Sequence, residues 1–324
     1  MSARFAVQIV TWNSAAVIDG CLAALAAQRS RAFEVIVVDN ASSDGSADRV
    51  EQWRARVPAL TVRREPVNRG FCAGQNLATA ASTAPWVLFL NPDAELPDDF
   101  LSRAAGVVEA LPREVGAVAP CIVLPDGTID STGLAMDRFR RAFDRDGGAS
   151  ADRRLLASRD VFGCTGAVAL LRRAMLDDVA VNGQVLDERI FAYYDDLDLA
   201  WRATLRGWQC RYEASLTATH HRMARNAIRG FAQRPTRTTD QRLTVRNRLL
   251  VMARCDRARD VVRALPWLLP FEVARAAYLA LKAPRVLRAY PEAARELPGA
   301  FQARIRIRER SGMAALPALP WKVR

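Results

Sequence analysis

The sequence predicts an α/β fold with a mainly parallel central sheet, followed by a basic helical C-terminal extension. Three observations carry that prediction. Short apolar runs alternate with helix-like segments through the first ninety residues, each run stops on a polar residue, and the charge balance reverses in the last third of the 324 residues. Repeated strand–helix units imply parallel pairing through right-handed crossovers.

The first strand is Phe5 to Thr11, ending at Trp12-Asn13, and a helix follows over about 14–28. Phe33 to Asp39 is the second strand; Ser43 or Asp44 then caps a helix carrying Ala47, Val50 and Trp53. A strand at 60–64 and a helix from Cys72 lead to Trp86-Val87-Leu88-Phe89-Leu90-Asn91, bounded by Pro85 and Pro92. Unbroken apolar runs of this length read as strands buried on both faces. Pro97-Asp98-Asp99 is a proline-initiated, acid-enriched first helical turn. Residues 126–160, rich in Asp, Gly, Arg and Ser, read as a long excursion near the site. Val161 to Leu171 reads as one further core strand, and Ile190 to Arg202 as an aromatic run turning into an acidic helix start. Beyond His221 the apolar and Arg residues keep helical spacing, and Pro284, Pro291 and Pro298 are expected to divide them into short helices. The expected division is a catalytic domain over 1–225 and a Pro-punctuated region over 226–324.

The chain is long enough to build a core without staples. Its six cysteines are widely spaced, form no Cys-x-x-Cys pair and follow no secretory leader, so a reduced, cytoplasmic protein is expected. Val261 to Ala283, interrupted by Arg263, Pro266, Pro270, Glu272 and Arg275, is not expected to cross a bilayer. From His220 onward 23 Lys+Arg face 7 Asp+Glu, a balance of +16, against −4 before it. Such asymmetry points the tail at a polyanion, either nucleic acid or an anionic membrane surface.

Ligands in open α/β sheets collect beyond the carboxyl ends of the strands, where Asn13, Asp39 and Asp93 converge on one rim. Asn91-Pro92-Asp93 alone is an ordinary turn sequence. With Asp39 and Asn13 beside it, Asp93 suits a hard divalent cation shared with substrate phosphates. Asn68 to Asn76, with Gly70 and Gly74, opens a helix as a phosphate or ribose cradle, and matches neither Gly-x-Gly-x-x-Gly nor the P-loop. Asp195, Asp196 and Asp198 suit a helix N-terminus: Asp198 and Asp195 can cap, which leaves Asp196 to face the rim as a base. His220 and His221, the two histidines, offer a further metal ligand or plain surface.

In order, Val10-Thr11-Trp12-Asn13, Val38 to Ser46, Asn68-Arg69-Gly70-Phe71 with Gly74 and Asn76, Leu90-Asn91-Pro92-Asp93, Gly163 to Arg173, Asp195 to Leu199 with Arg202, and His220 resemble the family 2 glycosyltransferases of GT-A fold. The likeness spans about residues 5–225 and is closest to their bacterial rhamnosyltransferase-like branch. It implies an inverting transfer from a nucleotide-diphospho-sugar, dTDP-rhamnose first, to a glycan or lipid-linked saccharide. Thr11, Asn13 and Asp39 would hold base and ribose; Asn68, Gly70, Gly74, Asn76, Asn91 and Arg202 would line the nucleotide sugar. Asp93 and His220 would hold Mg²⁺ or Mn²⁺, and Asp196, beside Asp195, would be the base. Asn91 stands where the family's metal motif has its first carboxylate, and the family's Glu-Asp pair reads Asp195-Asp196. The tail resembles C-terminal helices that sit on the cytoplasmic membrane, with Leu287, Tyr290, Ala294, Leu297, Phe301 and Ile305 at helical spacing among arginines. Rival readings are a UDP-hexose donor, a nucleotidyltransferase, which needs a Gly-rich basic loop where Thr11-Trp12-Asn13-Ser14 stands, and a nucleic-acid-binding protein, which leaves the three rim aspartates unexplained.

Overall fold

A computed structural model describes residues 3–150, 157–222 and 238–310. Strands β1 (Phe5–Thr11), β2 (Phe33–Asp39), β3 (Leu60–Arg64) and β4 (Trp86–Leu90) alternate with helices α1 (Ile18–Ala26), α2 (Ser46–Gln52) and α3 (Gly70–Ala80). The strands pair in parallel, in the order β3-β2-β1-β4. Every residue of β1 and β4 is buried, as runs without polar alternation require.

After the short β5 (Ala94–Glu95) and α4 (Phe100–Ala110) come β6 (Val115–Val123), β7 (Ile129–Ser131), β8 (Leu134–Met136), β9 (Ala142–Asp144), β10 (Arg159–Val161) and β11 (Val168–Arg172). Helices α5 (Arg173–Val179) and α6 (Asp195–Leu205) then precede the long β12 (Gln209–His220). β11 runs antiparallel between β4 and β6, and β12 runs parallel to β6. The sheet is thus mixed and mostly parallel, and the ends of β1, β2, β4 and β12 share one rim with the start of β11. Two sequence expectations are corrected. The 126–160 excursion contains β7, β8 and β9, and the expected strand Val161 to Leu171 is two strands, β10 and β11, parted by a loop around Gly163 and Gly166.

Alternate residues of the central strands feed two cores. Leu88 and Leu90 pack with α1 and α4 on one face, and Val87, Phe89, Ala169 and Leu171 pack with α5 and α6 on the other. Val251 and Cys255 of α7 (Thr238–Cys255) join this second core. A boundary at residue 225 therefore separates a helix from the core it completes. α8 (Ala258–Lys282) and α9 (Ala289–Arg310) are long continuous helices with Pro266, Pro270 and Pro298 inside them. The expected short pieces are realised only at Pro284, where a 3-10 turn parts the two. By length and composition alone, α8 is the one described helix long and apolar enough to span a membrane.

Candidate active site

At one end of the rim, Thr11 on β1 lies opposite Asp39 on β2. Asn13, at φ 53°, locks the two strand ends: its N–H donates to Ser42 Oγ at 2.9 Å and its Oδ1 accepts from Ser43 N–H at 2.8 Å. Ser42 N–H donates to Asp39 Oδ2 at 3.0 Å. Asp39 Oδ1 and Thr11 Oγ1 are buried with no hydrogen-bond partner among the described residues. An unmet buried polar atom costs about 1–3 kcal/mol, and both atoms are open to an incoming donor.

The Asn68 to Asn76 segment divides its residues between turn and packing. Asn68 Oδ1 accepts from Gly70 N–H at 2.8 Å and so starts α3. Gly70 has φ +87° and touches Phe191, where a Cβ would clash with ring and carbonyl at about 2.5 Å. Gly74 lets α3 settle on β1, since a Cβ there would lie 2.7 Å from Val10. Asn76 binds the 186–188 loop, donating to Leu186 O at 2.8 Å and accepting from Leu186 N–H at 2.9 Å. Gly74 and Asn76, expected to line the nucleotide sugar, here hold α3 in place.

At the other end, β4 leads into the Asn91 turn, whose carbonyl accepts from Ala94 N–H at 3.1 Å. Asp93 Oδ1 meets His220 Nε2 at 3.1 Å, and His220 Nδ1 meets Asp130 Oδ2 at 2.8 Å. Asp130 in turn pairs with Arg222, which also donates to Asp144 at 3.0 Å. Burial alone would drive a proton off His220, but the bonds and charges of Asp130 and Asp93 outweigh it and raise the ring to about 9. His221 points elsewhere, with Nε2 3.0 Å from Glu95. A carboxylate on Nδ1 fixes the ring so that Nε2 faces Asp93, and a cation bound there would displace the Nε2 proton that Asp93 accepts. Among the described residues no group of three metal-ligating side chains gathers. Asp93 and His220 offer one oxygen and one nitrogen donor side by side, a set that suits a cation completed by substrate oxygens.

The acidic turn sits between these two ends. Phe191 (φ 66°), Tyr193 (φ 68°) and Tyr194 (φ 67°) all take left-handed backbone just ahead of α6. Such residues cost about 1–3 kcal/mol each and cluster at functional sites. Asp196 Oδ1 accepts from Leu197 N–H at 2.7 Å, and its Oδ2 faces Gly166 N–H at 3.5 Å. Ala167, next in the chain, accepts from Asn91 N–H at 2.8 Å, so two consecutive residues join the acidic turn to the Asp93 turn. Asp195 and Asp196 border a small apolar crevice of about 30 Å³, lined by Phe162, Leu199 and Ala200. Burial raises the pKa of both above the ordinary carboxylate range; the charges of Asp195 and Asp144 raise Asp196 further. A buried carboxylate with a raised pKa is suited to accept a proton near neutral pH.

Residues 6–180 match the model of the family described as Glycosyl transferase family 2. The chain belongs to glycosyl transferase family 2. Among this glycosyltransferase's relatives is the N-acetylglucosaminyl-diphospho-decaprenol L-rhamnosyltransferase of Mycobacterium tuberculosis, 28% identical over 236 residues, covering 66% of this chain and 74% of the relative. A PGL/p-HBAD biosynthesis glycosyltransferase of Mycobacterium bovis is 28% identical over 179 residues, 53% of this chain and 66% of the relative. Its fold is that of the GT-A enzymes. S. aureus TarS 1-349 in complex with UDP-GlcNAc superposes with TM-score 0.56 at 19% identity, covering 96% of this chain and 88% of that one. The mannosyltransferase PcManGT from Pyrobaculum calidifontis, in complex with GDP-Man and Mn2+, gives 0.56 at 19% identity over 96% and 86%.

Within the glycosyltransferase, Arg202 is the clearest correction. It was expected at the nucleotide sugar, yet it is buried and donates to Asp198 Oδ2 at 2.8 Å, Val179 O at 2.6 Å and Val185 O at 2.7 Å. Asp198 likewise caps nothing: Tyr194 occupies the N-cap position, no side chain bonds there, and Asp198 pairs with Arg202 and Arg254. Asp130 and Asp144, absent from the sequence-based set, are the residues that orient His220 and anchor Arg222. The signal for Asp130 is weak: one carboxylate within Thr128-Ile129-Asp130-Ser131, a short strand pattern in a polar stretch.

Proposed function

We propose that the enzyme moves a sugar, with inversion, from a nucleotide-diphospho-sugar to a hydroxyl of a cell-surface glycan or lipid-linked saccharide, with dTDP-rhamnose as donor. The observation that carries this is one rim holding the unpartnered Thr11 Oγ1 and Asp39 Oδ1, an Asp93–His220 pair and a buried Asp196. The M. tuberculosis relative, named for rhamnosyl transfer to a GlcNAc-diphospho-lipid, favours rhamnose and a lipid-linked acceptor.

Asp39 Oδ1 accepts from the imide N–H of thymine or uracil, and Thr11 Oγ1 serves the nucleoside beside it. Asn68 and Gly70 shape the turn under the nucleotide sugar, and the Asn91 turn sets Asp93 towards the diphosphate. Asp93 and His220 Nε2 are the residues that would hold Mg²⁺ or Mn²⁺, with Asp130 keeping the ring in register. Bound there, the cation supplies charge neutralisation for the departing diphosphate. Asp196 takes the proton of the acceptor hydroxyl as its oxygen attacks the anomeric carbon from the face opposite the leaving group. Asp195 stays beside it as the neighbouring charge that keeps Asp196 basic.

The enzyme works as a peripheral protein on an anionic membrane surface, and α8 supports this reading more than the arginine spacing does. Its charged Glu272 and Arg275 turn inward, Glu272 onto buried Arg248, while Val262, Leu265, Trp267, Leu269, Val273, Tyr278 and Leu281 are exposed. Arg259 and Arg263 flank this apolar face at one end, and Lys282, Arg285 and Arg288 at the other. A helix with such a face and basic ends lies in a lipid interface. Leu287 and Tyr290, expected to face lipid, instead pack against Val286 and Leu279, whereas Phe301 and Ile305 are exposed.

Calorimetric titration with dTDP, UDP and GDP, with and without Mn²⁺, tests the nucleotide reading. Binding of dTDP strengthened by Mn²⁺ in wild type, and not in Asp93→Ala, is the expected result. Metal-independent binding, or no preference for the pyrimidine nucleotides, contradicts it.

A further inference from the structure

The turn at 191–194 that leads into Asp195 and Asp196 has no regular structure of its own, and three of its residues sit in disfavoured backbone. At Phe191 the chain makes a tight reversal, with φ 66° and ψ −64°, in which Ala192 N–H donates to Ile190 O at 2.8 Å. Such a segment keeps its shape only when its surroundings over-determine it. The surroundings here come from α7, about fifty residues further along the chain. Asn247, fully buried, aims its Nδ2 at three carbonyls of the turn: Ile190 O at 2.8 Å, Ala192 O at 2.8 Å and Tyr193 O at 2.9 Å. The amide can point only one way, because Arg246 Nε donates to Asn247 Oδ1 at 2.9 Å. Arg246 Nη2 adds bonds to Arg189 O at 2.6 Å and Ile190 O at 3.0 Å. One amide thus meets three acceptors of the turn, of which Ile190 O is also held by Ala192 N–H and Arg246.

We infer that Asn247, oriented by Arg246, is a positioning residue for transfer: it clamps the strained 190–194 turn and thereby sets the carboxylate of Asp196 against the acceptor. The inference rests on Asp196 being the base. It makes α7 part of the catalytic apparatus, not an adjunct to the tail. The nucleotide end of the rim is built from β1, β2 and the start of α3; the turn meets it through Phe191, against Gly70 and the Cys72 N–H, and not through the three carbonyls that Asn247 holds. Loss of the clamp therefore falls on turnover and spares nucleotide affinity. Asn247→Ala removes all three bonds, and Arg246→Lys keeps the amide but frees it to rotate.

The test measures kcat, donor KM and nucleoside diphosphate affinity for Asn247→Ala, Arg246→Lys and Asp196→Asn side by side. Misplacing a reacting group by about 1 Å can cost about 10²-fold, so Asn247→Ala should lose kcat by about 10–100-fold with nucleotide affinity and donor KM held. Arg246→Lys should show a smaller loss of the same kind, and it carries the test if Asn247→Ala does not fold. Retained kcat in folded Asn247→Ala, or affinity falling in step with kcat, overturns the clamp. An inactive Asp196→Asn beside a fully active Asn247→Ala refutes the clamp and leaves the base in place. An active Asp196→Asn refutes the base.

Discussion

Replacing Arg202 by Leu separates a structural arginine from a substrate-binding one. Its guanidinium reaches Asp198 and the carbonyls of Val179 and Val185 at 2.6–2.8 Å, and the Arg202 and Asp198 side chains are 2% and 0% exposed. Removing one partner of a buried pair costs about 3–5 kcal/mol. Burying a leucine in its place returns about 1.5–3 kcal/mol at most. Asp198 keeps Arg254 Nε at 3.4 Å, which limits the charge left unpaired. The two orphaned carbonyls add about 1–3 kcal/mol each. A net loss of at least about 2 kcal/mol is expected, or a fall of at least roughly 4–8 °C in Tm at about 2–4 °C per kcal/mol. Thermal unfolding followed by circular dichroism reads the first effect, and nucleotide titration well below the transition reads the second. The structure predicts a lowered Tm with nucleotide affinity kept. An unchanged Tm with lost nucleotide binding would refute the reasoning and return Arg202 to the donor site.

Asp39→Ala should weaken nucleoside diphosphate binding equally with and without Mn²⁺, because its contact is to the base; a loss confined to the metal-loaded enzyme would move Asp39 to the metal site. For Asp196 the sign follows from its raised pKa: the fold binds more protons than the unfolded chain, so stability falls as pH rises from the ordinary carboxylate range through the raised value. Asp196→Asn should therefore gain Tm over wild type as pH rises, while losing turnover by about 10²–10⁴-fold; a Tm difference that stays constant with pH would show a carboxylate without that burden. The double substitution Leu269→Glu with Val273→Glu should abolish sedimentation with anionic vesicles and spare transfer to a short soluble acceptor. Sedimentation unchanged by it would remove α8 from the membrane face.

What was legible in the sequence is the half of the molecule governed by local pattern. Apolar runs such as Trp86 to Leu90 can only be buried strands, and the polar residues ending them, Thr11, Asp39 and Asp93, mark the rim directly. The choice between His220 and His221 was not legible, because it turns on Asp130, ninety residues away in sequence and 2.8 Å away in space. Arg202 misled for a related reason. An arginine four residues after Asp198 pairs with it along the helix, but whether that pair faces ligand or core depends on Val179 and Val185 beneath it. The prolines of α8 misled in the opposite sense. Pro266 and Pro270 each remove a backbone donor, yet the helix continues through both, held by Phe271 stacked on Phe139 at 4.7 Å and by Glu272 on Arg248. Propensity gave way there to tertiary packing.

The central claim is that the rim transfers a sugar with Asp93 serving the diphosphate and Asp196 serving the acceptor. Release of dTDP from dTDP-rhamnose, measured with and without a polyprenyl-diphosphate-GlcNAc acceptor and with Mg²⁺ or Mn²⁺ present, tests it most directly. The account predicts acceptor-dependent release by wild type, lost in Asp93→Ala through metal-supported donor binding and in Asp196→Asn with donor binding intact. Release that persists undiminished in Asp196→Asn, or that ignores the acceptor, would contradict it.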